Sequence, residues 1–221
     1  MTDSIVITGA GVVSSIGDSF DSFGDKLFAG ATGMGPSQLA DFGDGSEIVA
    51  CEVRDFVPQK WLGPKGIRVL DRSARLLCVA AHMALESVGR LPADESEGDS
   101  RVGLVCGTIF GSVHSITSFD WSGIEDGVKY VNPMAFPNTV INSPAGQAAI
   151  KHKLRGINST ISAGLASSLY AIAYAADFLS LDRADLLIAG GVEELAEESY
   201  LGFLKNELIS CLLYTSPSPR D

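Results

Sequence analysis

Residues Ser159 to Leu181 constrain the fold more tightly than any other part of the chain. Ser159 to Ser162 is a short run of β-type composition. Ala163-Gly164 follows as a small-residue turn. From Ala166 the period changes: Ala166, Leu169, Tyr170, Ala173, Ala176, Asp177 and Ser180 recur at helical spacing. This helix is apolar on nearly every side, which is the pattern of a buried helix. The stretch is predicted as a strand, a sharp turn and a buried helix, with Leu165 at the corner.

Such a corner has a chemistry of its own. Backbone N–H groups of a helix's first turn lack intrahelical partners and lie at the positive end of the macrodipole. A thiol placed there deprotonates easily, and the same N–H groups can hold a developing oxyanion. Here the corner reads Gly164-Leu165-Ala166-Ser167. Leu165 has no nucleophilic atom. Ser167 and Ser168 have hydroxyls, but an activating base beside them is not visible in the sequence. The architecture for acyl transfer is expected without its reactive group.

The rest of the chain alternates strand and helix patterns. Ser4 to Thr8 is a strand candidate, and Gly9-Ala10-Gly11 turns the chain. Gly9-x-Gly11 is half of a dinucleotide fingerprint, but Ser14 stands where the third glycine belongs and no helix begins promptly. It reads better as a tight turn where two layers approach. Asp18 or Ser19 caps a helix with Phe20, Phe23 and Leu27 on one face. Ile48 to Val53 is a short strand. Asp71 to Gly89 is the clearest amphipathic helix, with Ala74, Leu77, Cys78, Ala81, Leu85 and Val88 as its stripe. His82 lies off that stripe and is expected at the surface. Arg101 to Thr108 is a buried strand, Trp121 to Lys129 a polar loop, and Ser143 to about Leu154 a helix with Pro144 near its start. Asp185 to Ala189 is a last buried strand, and Glu197 to Leu208 starts a further helix. This alternation implies a layered α/β fold with a mainly parallel sheet.

Composition excludes several functions. The net charge of −11 argues against a phosphate-backbone partner, so no nucleic acid is expected. No apolar run reaches the roughly 18 residues of a membrane span, and Met1-Thr2-Asp3-Ser4 lacks a signal peptide's basic region, so cytoplasmic residence is expected. Cys51, Cys78, Cys106 and Cys211 are scattered without zinc spacing; they are expected to be reduced and mostly buried, and no metal is expected. The Ser/Pro string from Ser210 to Asp221 can continue neither a helix nor a central strand. Residues 1–209 are therefore expected to form a truncated domain, and 210–221 a non-native tail.

Several segments, in order, resemble the N-terminal part of the β-ketoacyl-acyl-carrier-protein synthases, within the thiolase-like superfamily. They are Ile5-Val6-Ile7-Thr8-Gly9-Ala10-Gly11-Val12-Val13-Ser14 with Ile16-Gly17, Asp55-Phe56-Val57-Pro58, Asp71-Arg72-Ser73-Ala74, Arg101-Val102-Gly103, Pro133 to Thr139, Asn142 to Gly146, Gly156, the corner, and Gly190-Gly191-Val192-Glu193. The resemblance implies the N-terminal half of a thiolase-like sandwich, an α/β fold in which a mainly parallel mixed sheet flanks a buried helix. It implies a dimer, either with itself or with an active ketosynthase, and an acyl carrier protein whose phosphopantetheine thioester is substrate, with no cofactor of the protein's own. Family members take the acyl group on a corner Cys and condense it with malonyl-carrier protein, assisted by two histidines from the C-terminal half. In this chain Leu165 stands at the Cys position, so no catalytic residue is intact, and His82, His114 and His152 do not match the two histidines. A chain-length-factor-like partner subunit is the expected function, although the familiar replacement there is Gln. An active 3-oxoacyl-carrier-protein synthase in the full-length parent, or an inactive fragment, are the alternatives.

Overall fold

A computed structural model of the chain describes residues 4–38, 48–92 and 98–209. Residues 210–221, expected as a foreign tail, lie outside the described residues. The described residues divide into two compact units, one lying within 12–56 and 195–221, the other within 1–11 and 57–194.

The smaller unit holds helix α1 (Phe20–Phe28), strands β1 (Met34–Pro36) and β2 (Val49–Cys51), and helix α7 (Glu197–Lys205). Ser19 caps α1: its backbone is extended and its hydroxyl accepts from the Ser22 N–H at 3.2 Å. β1 and β2 pair antiparallel, with Gly35 opposite Ala50. Tyr200 on α7 donates its hydroxyl to the Val49 carbonyl (3.3 Å) and so ties α7 to β2.

The larger unit holds the chemistry-bearing elements. After the short α2 (Gln59–Leu62) comes α3 (Arg72–Ser87), whose N-cap Asp71 accepts from the Ala74 N–H at 2.8 Å. Of the predicted stripe, Ala74, Leu77, Cys78, Ala81 and Leu85 are buried and Val88, the C-cap residue, is half-buried. Strand β3 (Val102–Gly107) is buried at every position, as the centre of a parallel sheet must be when both faces are covered. Helices α4 (Val113–Glu125) and α5 (Ser143–Lys151) lead to β4 (Asn158–Ile161), and α6 (Ser167–Ser180) leads to β5 (Leu186–Gly191). The sheet order is β4-β3-β5, all parallel, with Cys106 paired to both Thr160 and Gly190. Ala171 and Ala175 of α6 pack on Val105, with Ile157, Ile161, Leu187 and Ala189 around them.

Glycine sets the closest approaches. A Cβ at Gly11 would collide with the Ala80 carbonyl oxygen of α3, and one at Gly9 with the Ser87 hydroxyl. The Gly-x-Gly motif is thus a packing device, in agreement with the tight-turn reading.

Four expectations are corrected. Ser4 to Thr8 forms no strand: Val6 and Ile7 are exposed and no ladder includes them among the described residues. Trp121 to Glu125, expected in a loop, completes α4. His82 is half-buried, its ring 5.7 Å from that of His152. The α6 helix is buried along one stripe only, at Ser167, Ala171 and Ala175, because the sheet covers that side; Leu169, Tyr170 and Ile172 on its other sides are exposed in this chain.

Candidate functional site

The site is built where β4 ends and α6 begins. Ser162 to Ala166 make the turn, with Gly164 at φ +61°. That left-handed backbone is one glycine adopts without the steric penalty of a Cβ. Ser167 locks the bend from the helix side: its hydroxyl donates to the Gly164 carbonyl (2.6 Å) and accepts from the Ala163 N–H (2.9 Å), while its own N–H also reaches Gly164 O (3.1 Å). The Ser167 hydroxyl is therefore committed to the turn and buried at 3% exposure.

Leu165 immediately precedes Ala166, the N-cap of α6, which has no side-chain cap hydrogen bond. Its side chain is 84% exposed. Gly164, Leu165, Ala166 and Ser167 are thus brought together at the tip of a helix pointing its N-terminus outward from the sheet's C-terminal edge. The close fit behind them depends on Gly107 at the end of β3, where a Cβ would sit 2.5 Å from the Ser167 carbonyl carbon. Gly191 at the end of β5 faces the Ser168 hydroxyl in the same way.

The neighbouring loop, Thr108 to Gly111, is tied to this edge. Thr108 donates its N–H to Ile161 O (3.0 Å), and the Ser162 hydroxyl donates to Ile109 O (3.1 Å). Two carboxylates that follow β5 complete the arrangement. Glu193 accepts from the Thr108 hydroxyl and from the Ile109 and Phe110 N–H groups. Glu194, 4% exposed, accepts from Ser73 N–H in the first turn of α3 (3.2 Å) and His114 N–H in the first turn of α4 (3.3 Å). Burial pushes the Glu194 carboxyl up, reinforced by Asp71, while hydrogen bonds from the His114 backbone and the Ser73 side chain oppose the rise. Neither glutamate was assigned a role from the sequence. The signal was two consecutive carboxylates one residue beyond a strand ending in Gly190-Gly191.

The remaining reactive groups are placed elsewhere. Burial pushes the Cys78 and Cys106 thiols up to about 12, so neither is a nucleophile at neutral pH. Cys51 is exposed. His152 is buried against the Cys78 carbonyl. His114 lies in a cleft of ≈ 310 Å³ with Ser115, Ser118, Ser122, Asn132 and Asn138. Most of these polar groups already bond within the chain, as Ser115 does to Asp71 and Asn138 to the Val69 carbonyl. Among the described residues no group of three or more His, Cys, Asp or Glu is placed to hold a metal, and no helix is long and apolar enough to cross a membrane.

Comparison with known proteins identifies the family. The sequence pattern described as "Beta-ketoacyl synthase, N-terminal domain" matches residues 2–211. A 3-oxoacyl-[acyl-carrier-protein] synthase 2 of Coxiella burnetii is 33% identical over 189 residues, covering 86% of this chain and 45% of the relative. A chloroplastic 3-oxoacyl-[acyl-carrier-protein] synthase I of Hordeum vulgare is 30% identical over 192 residues, covering 86% and 42%. The chain thus spans about half the length of the curated relatives it matches. Among solved structures, the ishigamide ketosynthase/chain length factor superposes with a TM-score of 0.82 at 23% identity, over 93% of this chain and 51% of that one. A β-ketoacyl synthase from Burkholderia phymatum gives 0.77 at 25% identity, over 93% and 50%. The fold is thiolase-like, and the parallel sheet with its helices corresponds to the N-terminal half. The chain belongs to the β-ketoacyl synthases, whose N-terminal domain it carries from residue 2 to residue 211.

Proposed function

We propose that the protein carrying this chain is a non-condensing, chain-length-factor-like subunit. It pairs with an active ketosynthase and works on acyl groups delivered by an acyl carrier protein. The observation that carries this reading is the corner itself. Leu165, 84% exposed, stands one residue before the N-cap of α6 and presents hydrocarbon at the position that the family resemblance assigns to the nucleophilic Cys, which supports the reading. The hydroxyl of Ser167, in the first turn of α6, is spent on the turn. Leucine cannot donate or accept a hydrogen bond, so it cannot copy the amide of the Gln found in chain-length factors. Its bulk serves instead to plug the mouth of the acyl pocket. A solved ketosynthase that shares the fold was captured with its acyl-carrier protein, which fits the proposed partner.

The test is to co-express the chain with a Cys-bearing ketosynthase and to offer both a labelled acyl-carrier protein. The reading expects copurification with the synthase and label on the synthase alone. Acyl label covalently attached to this chain would overturn it and favour an active synthase.

A further inference from the structure

The loop after β3 is held by one exposed carboxylate. In the parallel ladder Gly107 pairs with Gly191, and the Val192 N–H bonds to the Gly107 carbonyl (3.0 Å). Two residues beyond Gly191, Glu193 therefore leaves the sheet beside Ile109. Glu193 Oε2 accepts from the Thr108 hydroxyl (3.0 Å) and the Ile109 N–H (2.6 Å), and Oε1 accepts from the Phe110 N–H (3.2 Å). Two successive N–H groups facing two carboxylate oxygens form a nest for an anion, and charge-assisted bonds are the stronger kind. Thr108 closes the loop on itself by accepting from the Gly111 N–H (2.9 Å). On its other side Ile109 is bound through its carbonyl to the hydroxyl of Ser162 (3.1 Å), the residue between β4 and the corner.

We propose that Glu193 is a positioning residue: it fixes the Thr108–Phe110 backbone and, through Ile109 and Ser162, the conformation of the corner that presents Leu165. Ile109 is the joint, with its N–H tied to the exit of β5 and its carbonyl tied to the entrance of the corner. Removing the carboxylate frees both N–H groups and the Thr108 hydroxyl at once, and the loop loses its registration against Ser162. A glutamine at 193 supplies one acceptor oxygen where two are used, so it retains part of the tether. The consequence for acyl groups rests on the reading of the corner given above; the tether does not.

The experiment uses the full 221-residue chain with Glu193→Gln and Glu193→Ala, each made alone and together with Leu165→Cys. Amide hydrogen exchange is followed at Ile109 and Phe110, with Leu104 and Val105 of β3 as internal reference, and alkylation at residue 165 is followed by mass spectrometry. The expected result is exchange at Ile109 and Phe110 accelerated about tenfold or more in Glu193→Ala, with the β3 amides unchanged. Alkylation at residue 165 is expected to change about threefold or more in the same direction for both variants, less for Gln than for Ala. Should Glu193→Ala also expose the β3 amides, the Gln variant decides. Unchanged exchange at Ile109 and Phe110 would overturn the tether. Accelerated exchange with unchanged alkylation would overturn its coupling to the corner. A failure of the proposed partner role would instead show as acyl label on this chain, with the exchange result untouched.

Discussion

His152 is buried, and its Nε2 donates to the Cys78 carbonyl at 2.9 Å. Burial lowers its pKa to about 4, with the Cys78 bond acting the other way and His82 and Lys151 adding to the fall. The unfolded chain protonates this imidazole near its ordinary value of 6.5. The folded-state pKa is the lower one, so the contribution to stability is whole above pH 6.5 and is lost as pH falls towards 4. Its upper size is about 3–4 kcal/mol, from roughly 1.4 kcal/mol per pH unit. Glu194 acts with the opposite sign. Its carboxyl is raised by burial and by Asp71, so above the ordinary glutamate range stability falls as pH rises. Urea denaturation is expected to show the chain losing stability between pH 6.5 and pH 4.5. His152→Gln keeps a donor for the Cys78 carbonyl and does not titrate, so it is expected to flatten that slope. An unchanged slope would place the acid sensitivity elsewhere.

At the scale of elements, what could be read in advance was whatever one-sided burial had written into the sequence. The α3 stripe and the β3 run were legible because Ala74, Leu77, Cys78, Ala81 and Leu85, and Val102 to Cys106, are buried as their pattern demands. The bend before α6 was legible from the change of period at Ala166. Helix α4 was not, because none of its residues is buried and its Ser, His and Asp content leaves no apolar stripe to detect. Ser4 to Thr8 has strand composition, but pairing depends on a neighbour that no local pattern specifies. The glutamate contacts of the site also escaped, since Glu193 and Ile109 are 84 residues apart. Two glycines separate close packing from open space. Gly107→Ala places a Cβ against the Ser167 backbone and is expected to cost about 2 kcal/mol or more. Gly146→Ala, within α5 and with nothing in reach of its Cβ, is expected to stabilise by about 0.5–1 kcal/mol through helix propensity. Thermal unfolding of the two variants checks the pair, and equal effects would contradict the close approach of α6 to β3.

Taken as a whole molecule, the chain leaves apolar surface uncovered along α6. Leu165, Leu169, Tyr170, Ile172 and Tyr174 are exposed large hydrophobics, with Leu169 at 71%. Exposed apolar patches of this kind mark surfaces that associate or aggregate. The 221-residue chain is expected to bind an apolar dye and to scatter light at micromolar concentration, despite its net charge of −11. Leu169→Lys with Ile172→Lys is expected to reduce both signals without lowering the unfolding midpoint. Signals that stay unchanged would locate the association on another surface.

The claim that unites these scales is that residue 165 stands at the positive tip of α6 and offers hydrocarbon where reactivity was architecturally possible. The most direct measurement is the pH dependence of alkylation at residue 165 in Leu165→Cys, read by peptide mass spectrometry so that Cys51 and Cys211 do not contribute. A midpoint at least about one unit below the ordinary thiol value of about 8.5 is the predicted result. A midpoint at or above that value would contradict the placement of this corner at a helix N-terminus.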